Sequence, residues 1–213
     1  MKAVAEAGGE PVVLSPVEDS EYKNILAQLD GVILLGGEHS HFGGPDDADQ
    51  PTLVSDAPPT AERKAEIELA KEAVRKTKLP VLGICSGSQL INEVLGGNYE
   101  DHVRRRVELT ATRSSGREQT TEVAFAAGSR LAEIYRRKSI TVPILHHKNV
   151  KFVGDGLVSA GAASDGVVEA IESNSNRFLI GVNWHPEFDL EEHLPLFQSL
   201  VSAATRKQLQ LTD

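Results

Sequence analysis

Two kinds of apolar pattern alternate along the first half of the chain. Short continuous apolar runs read as buried strands: Pro11 to Leu14, Gly31 to Leu35, and Leu79 to Ile84. Between them, apolar residues recur at helical spacing. Such segments are Met1 to Ala7, the set Tyr22, Ile25, Leu26 and Leu29, and the set Ile67, Ala70 and Val74, with Thr60 placed to cap the last of these. A further helix runs through Leu90, Ile91 and Leu95 and stops at Gly96-Gly97. In the second half, Thr121 to Ala126, Ile140 to Leu145, Leu157 to Ala163, Val167 to Ile171 and Phe178 to Trp184 read as strands without long helices between them. A final helix carries Leu190, Leu194, Phe197 and Val201 on one face.

Strands that are apolar throughout and alternate with helices are covered on both faces, which implies an α/β fold with a mainly parallel sheet. The later run of strands predicts an antiparallel extension of it. A sheet of this kind normally opens with a strand before its first helix, whereas Met1 already lies in a helical pattern. Two readings stand: a sheet without that strand, or a sequence cut short upstream.

The chain has 213 residues, room for one well-packed domain, and we expect a single domain over 1–213. Its formal net charge is -9, from 22 basic and 31 acidic residues, which argues against non-specific binding to nucleic acid or anionic membrane. The one dense basic stretch, Arg104 to Arg106, is short and flanked by acids, as a solvated face would be. A single cysteine allows neither an intrachain disulfide nor a Cys-rich zinc site. No apolar run nears the roughly 20 residues that span a bilayer. A reducing, cytoplasmic setting is the expectation.

That cysteine sits in Gly83-Ile84-Cys85-Ser86-Gly87, with a buried strand running in and a helix running out. This is the spacing of a nucleophile elbow, with Cys in place of Ser. The turn crowds the backbone, hence the glycines. It also sets the sulfur at a helix N-terminus, where the dipole and free N–H groups favour thiolate. The Ser86 N–H would then point at a developing oxyanion. A structural cysteine in a glycine turn fits the same five residues.

A second strand, Phe178 to Trp184, runs into His185-Pro186-Glu187. Residues two apart in extended chain share a side, and Pro186 biases His185 toward extended backbone. Glu187 can therefore orient the His185 ring, as a base serving a thiol nucleophile requires. Gly36-Gly37 ends a third strand. It fits a second oxyanion donor, and equally an ordinary turn. His39 and His41 lack an evident third metal ligand, so they read as loop residues, and no metal is expected. His146-His147 closes another strand and reads evenly as substrate-facing or as a plain strand end.

Together these pieces resemble the class I glutamine amidotransferases, and most closely their γ-glutamyl peptidase branch, which includes γ-glutamyl-γ-aminobutyrate hydrolases. The resemblance rests on Ala5 to Leu14, Gly31 to Gly37, Pro80 to Asn92 with Leu95 to Gly97, His146-His147, Asp165 to Ala170 and Gly181 to Glu187, in family order over nearly the whole chain. It implies a flavodoxin-like three-layer αβα sandwich, here without the family's first strand. It also implies a catalytic triad of Cys85, His185 and Glu187, and an oxyanion hole from Ser86 with Gly36 or Gly37. Gln89 would help bind the γ-glutamyl group, and His146 would be a substrate-binding histidine of the pocket loop. No cofactor is implied.

Ser86 and Ser88 depart from the Arg and the bulky residue usual in the closest branch. Pro143-Ile144, Lys148 and Glu38 depart from its usual loop residues. The implied activity is cysteine-dependent hydrolysis of a γ-glutamyl amide, with a small-molecule γ-glutamyl substrate. Alternatives are a glutaminase subunit that serves a separate synthetase, and a non-catalytic binding protein on the same fold. A synthetase or a second copy of the chain are the protein partners left open.

Overall fold

The computed structural model describes residues 1–15, 17–35, 61–101, 119–146 and 148–211. In chain order these form α1 (Lys2–Glu6), α2 (Tyr22–Leu26), β1 (Val32–Leu34), α3 (Ala61–Lys71) continued by a π-helical turn (Glu72–Lys76), β2 (Val81–Ile84), α4 (Ser86–Val94), β3 (Asn98–Asp101) and β4 (Thr120–Phe125). There follow α5 (Arg130–Tyr135), β5 (Ser139–Pro143), β6 (Lys148–Phe152), β7 (Leu157–Ala163), β8 (Val168–Ser173), β9 (Leu179–Val182) and, after a short 3-10 turn (Pro186–Phe188), α6 (Leu190–Leu211).

One seven-stranded sheet has the order β1-β2-β9-β8-β7-β4-β5, and β3 pairs with β6 in a small separate ribbon. The β1–β2 and β2–β9 pairs are parallel, and all other neighbours in the large sheet are antiparallel. Following those directions across the sheet, β1, β2, β9, β7 and β5 point one way, and β8 and β4 the other. The sheet is thus mixed, with its parallel pairing confined to one end and the expected antiparallel extension at the other.

Alternate residues feed two cores. Leu82, Ile84, Ile180 and Val182 face α1, α5 and α6, where Leu131, Leu196, Phe197 and Leu200 are buried. Val81 and Leu179 face the opposite side with Ala70, Ala73 and Val74 of α3 and its π turn, and Leu90, Ile91 and Val94 of α4. Helices cover both faces, as the apolar runs imply, which makes the three-layer αβα sandwich expected from the resemblance.

Pro11 to Leu14, expected as a strand, forms none. Val12 and Val13 are largely exposed, and the segment lines a groove with Val4, Leu34, Leu90 and Val201. An apolar run becomes a strand only when a neighbour pairs its backbone. The expected Thr60 cap, Gly36-Gly37, His39, His41, Arg104 to Arg106 and His147 lie outside the described residues. Among the described residues, no helix is long and apolar enough to cross a membrane, and no group of three His, Cys, Asp or Glu could hold a metal ion.

Helix α4 ends as its glycines suggest: Gly96 takes φ 88°, a conformation costly for a residue with a Cβ. Buried Asn92 anchors this end to the small ribbon. Its Nδ2 donates to the Phe152 carbonyl at 2.9 Å and its Oδ1 accepts from the Gly154 N–H at 2.7 Å. Removing the amide orphans both backbone groups. Asn92→Ala is therefore expected to lower stability by about 3 kcal/mol, measured as a shift in the urea midpoint at constant slope.

Candidate active site

Cys85 follows β2 directly, and His185 lies three residues beyond the end of β9. The two strands are parallel neighbours, with Ile84 opposite Val182. Both residues consequently emerge at the same carboxyl edge of the sheet, although a hundred positions separate them in sequence. The Cys85 N–H donates to the Val182 carbonyl at 2.8 Å, which extends the ladder to the cysteine itself.

Cys85 adopts φ 51°, ψ -110°. Conformations of this kind cost about 1–3 kcal/mol in a non-glycine residue and persist only where the surroundings impose them. The surroundings here are three contacts that require glycine. A Cβ on Gly83 would come 2.6 Å from the Gly87 carbonyl oxygen, one on Gly181 would meet Ser88 Oγ at 2.5 Å, and one on Gly87 would overlap the Leu34 carbonyl. Helix α4 is thereby pressed onto β1, β2 and β9, and its first turn has one place to go. Ser86 opens α4, so its backbone N–H is one of the helix's unpaired terminal donors. Gln89 is buried one turn further on, and its N–H donates to the Cys85 carbonyl at 3.2 Å.

His185 Nδ1 lies 2.7 Å from Glu187 Oε1, which leaves Nε2 as the ring nitrogen that can serve Cys85 at the same strand edge. Cys85 first, then the bond to Glu187, raises the His185 pKa to about 10 against the opposing effect of burial. The ring also stacks on Phe188, with centroids 5.0 Å apart and planes within 10°. Phe188 is exposed beyond it. Nothing in the sequence singles out Phe188; its place depends on the 3-10 turn that follows Pro186.

His146 is buried apart from this trio. Its Nε2 lies 2.8 Å from Glu169 Oε2 and its Nδ1 3.0 Å from the Lys148 carbonyl. Each ring nitrogen thus has a partner inside the protein. The connection to the trio is indirect, since the Glu169 carbonyl accepts from Asn183 N–H, two residues before His185. Cys85, Ser86, Gln89, His185 and Glu187 are therefore gathered at one strand edge, and His146 stands beside it. Gly36 and Gly37 lie outside the described residues. Arg63, which sequence reasoning passes over, donates from Nη1 to Ser86 Oγ at 3.0 Å from the start of α3.

This fold, with a cysteine elbow beside a His–Glu pair, is that of a glutamine amidotransferase-like hydrolase. Comparison with known proteins narrows it: the chain belongs to the peptidase C26 family, whose family model matches residues 1–187. A protein of Mycobacterium tuberculosis with a provisional glutamine amidotransferase name is 33% identical over 210 residues, which cover 96% of this chain and 66% of that relative. The γ-glutamyl-γ-aminobutyrate hydrolase of Escherichia coli O157:H7 is 29% identical over 219 residues, 95% of this chain and 84% of that enzyme. Among solved structures, a Thermoplasma acidophilum protein provisionally described as a GMP synthase subunit superposes with TM-score 0.70. That match covers 100% of this chain and 89% of the other at 16% identity, so it speaks for the fold alone.

Proposed function

We propose that the chain hydrolyses a γ-glutamyl amide through a thioester on Cys85. The observation that carries this reading is the His185–Glu187 pair, 2.7 Å apart, at the same strand edge as the Cys85 elbow. The sulfur, passing its proton to His185, attacks the side-chain carbonyl of glutamine or of a γ-glutamyl amine. The carbonyl oxygen takes up negative charge, to be met by the Ser86 N–H and by one from Gly36 or Gly37. His185 gives its proton to the nitrogen of the departing amine, the C–N bond breaks, and a γ-glutamyl thioester remains.

The same geometry explains how one imidazole serves both half-reactions. The strongest influence raising the His185 pKa is Cys85, which acts both as a hydrogen-bonding group and through charge. Acylation consumes both. The ring, neutral after giving its proton to the amine and no longer facing a free thiol, can take a proton from water as that water attacks the thioester. Glu187, which acylation leaves in place, keeps the ring oriented throughout. Gln89, one turn along α4, is assigned to the γ-glutamyl group. His146 is assigned to the pocket wall rather than to direct contact, because both its ring nitrogens are engaged.

A γ-glutamyl chloroketone tests the assignment. Peptide mapping should find one label per chain, on Cys85. A label elsewhere, or none from protein that turns over a γ-glutamyl anilide, sinks it. A second reading has the released ammonia serve a separate synthetase. Turnover by the isolated chain supports the stand-alone hydrolase, and turnover only with a synthetase present supports the second.

A further inference from the structure

Arg63 is only 4% exposed, although it is the third residue of a helix at the surface of the sandwich. A guanidinium out of water is costly unless its donors are met. Two of its partners are carboxylates that reach solvent, Glu66 at 3.2 Å and Glu93 at 3.8 Å. Another is the buried hydroxyl of Ser86, which accepts from Nη1 at 3.0 Å. Ser86 and Glu93 are seven residues apart, two turns of α4, and so lie on one face of that helix. The guanidinium lies along this face as a strut from α3. One of its contacts is on the residue adjoining the nucleophile.

The position of that contact matters because of the strain at Cys85. The cysteine's positive φ and the direction of the Ser86 N–H are one geometric fact: both follow from how the first turn of α4 is seated. The Leu34 carbonyl against Gly87 prevents the turn from moving toward β1. The Ser86 side chain is the handle by which the turn is held from the α3 side, and Arg63 holds it.

We infer that Arg63 is a positioning residue for the reaction: by hydrogen-bonding Ser86 Oγ it fixes the first turn of α4 and with it the Ser86 N–H aimed at the oxyanion. This rests on the Cys85 mechanism proposed above. It does not require Arg63 to touch substrate, and the contribution belongs to the acylation step rather than to substrate affinity. A helix turn displaced by as little as about 1 Å can cost on the order of 10²-fold in rate.

The test uses a γ-glutamyl anilide on the full chain. It measures acylation of Cys85 from the aniline released in a single turnover, and kcat and KM at steady state. Arg63→Met keeps the length and apolar stem but removes the donor. It is expected to slow acylation by about 10- to 100-fold with KM within about threefold of the parent. Ser86→Ala, which keeps the backbone N–H and loses only the acceptor, should show a loss of similar size. Combining the two should add little, because both cut one contact. Arg63→Lys, which retains a donor, should recover part of the rate.

Multiplying effects in the double variant would overturn the inference, as would a loss confined to KM. If Arg63→Met does not fold, Ser86→Ala and Arg63→Lys decide: parental acylation by a folded Ser86→Ala chain rejects the role. Failure of the chloroketone to label the parent chain at Cys85 would instead defeat the underlying mechanism, a result no Arg63 variant can mimic.

Discussion

Cys85→Ala is expected to lower γ-glutamyl hydrolysis by at least about 10⁴-fold while the protein stays folded. Nothing else in the cluster can form the thioester: Cys85 is the chain's one cysteine, Ser86 Oγ accepts from Arg63, and His185 is engaged with Glu187. Activity should fall to what oxyanion donors and binding provide without a nucleophile, and steady-state turnover of a γ-glutamyl anilide measures it. Stability gives a second, independent reading. Alanine keeps a Cβ, so the strain at φ 51° persists and the melting temperature should change little. Cys85→Gly relieves the strain and should be as inactive, yet equal or exceed the parent in stability by about 1 kcal/mol. An inactive variant that is no less stable would identify a residue held in place for chemistry. If Cys85→Ala retains more than about a tenth of parental turnover, far above what loss of a nucleophile allows, the mechanism is wrong.

Much of this site is legible in the sequence alone, and for a definable reason. Gly83 to Gly87 and His185 to Glu187 each combine a buried apolar strand with residues whose chemistry is local. Period and spacing are enough to place such pieces at strand ends. What the sequence does not contain is adjacency. That β9 lies beside β2, with Val182 opposite Ile84, is a property of the folded sheet, and the shared edge of Cys85 and His185 depends on it. The same limit explains the elements that patterning misplaces. Pro11 to Leu14 has strand composition and no partner among the described strands. Asn98–Asp101 and Lys148–Phe152 are short and largely polar, too brief for their pattern to betray them, yet they pair. Helix α5 is six residues long, too short for a clear period. Its only local sign is Ser129, whose side chain accepts from the Ala132 N–H at 3.1 Å. Arg63 sits in a helix whose apolar face, Ala70 and Val74, is legible and is buried. Its own burial depends on where α4 lands, which no pattern within α3 encodes.

Gly87→Ala should be the most damaging single methyl group that can be added near the site. Gly87 is the second residue of α4, and alanine is the better helix former by about 1 kcal/mol, so propensity alone predicts a gain. Contact predicts the reverse. The new Cβ would overlap the Leu34 carbonyl oxygen and carbon and come 2.9 Å from the Leu34 Cβ. Main chain on both sides leaves no flexible tip to swing away, so α4 must lift from β1 or β1 must bend outward. Overpacking of this sort costs about 3 kcal/mol, well above the propensity gain, and should appear as a lower urea midpoint. A lifted α4 also carries Cys85 and the Ser86 N–H away from His185, so acylation should fall by about 10²-fold even in the fraction that folds. Gly96→Ala is the control. A Cβ there meets nothing within 4 Å, and only the positive φ opposes it, so it should lose stability of about 1 kcal/mol and keep the parental acylation rate. Equal effects on acylation from the two substitutions would mean that the seating of α4 on Leu34 has no part in aligning the nucleophile.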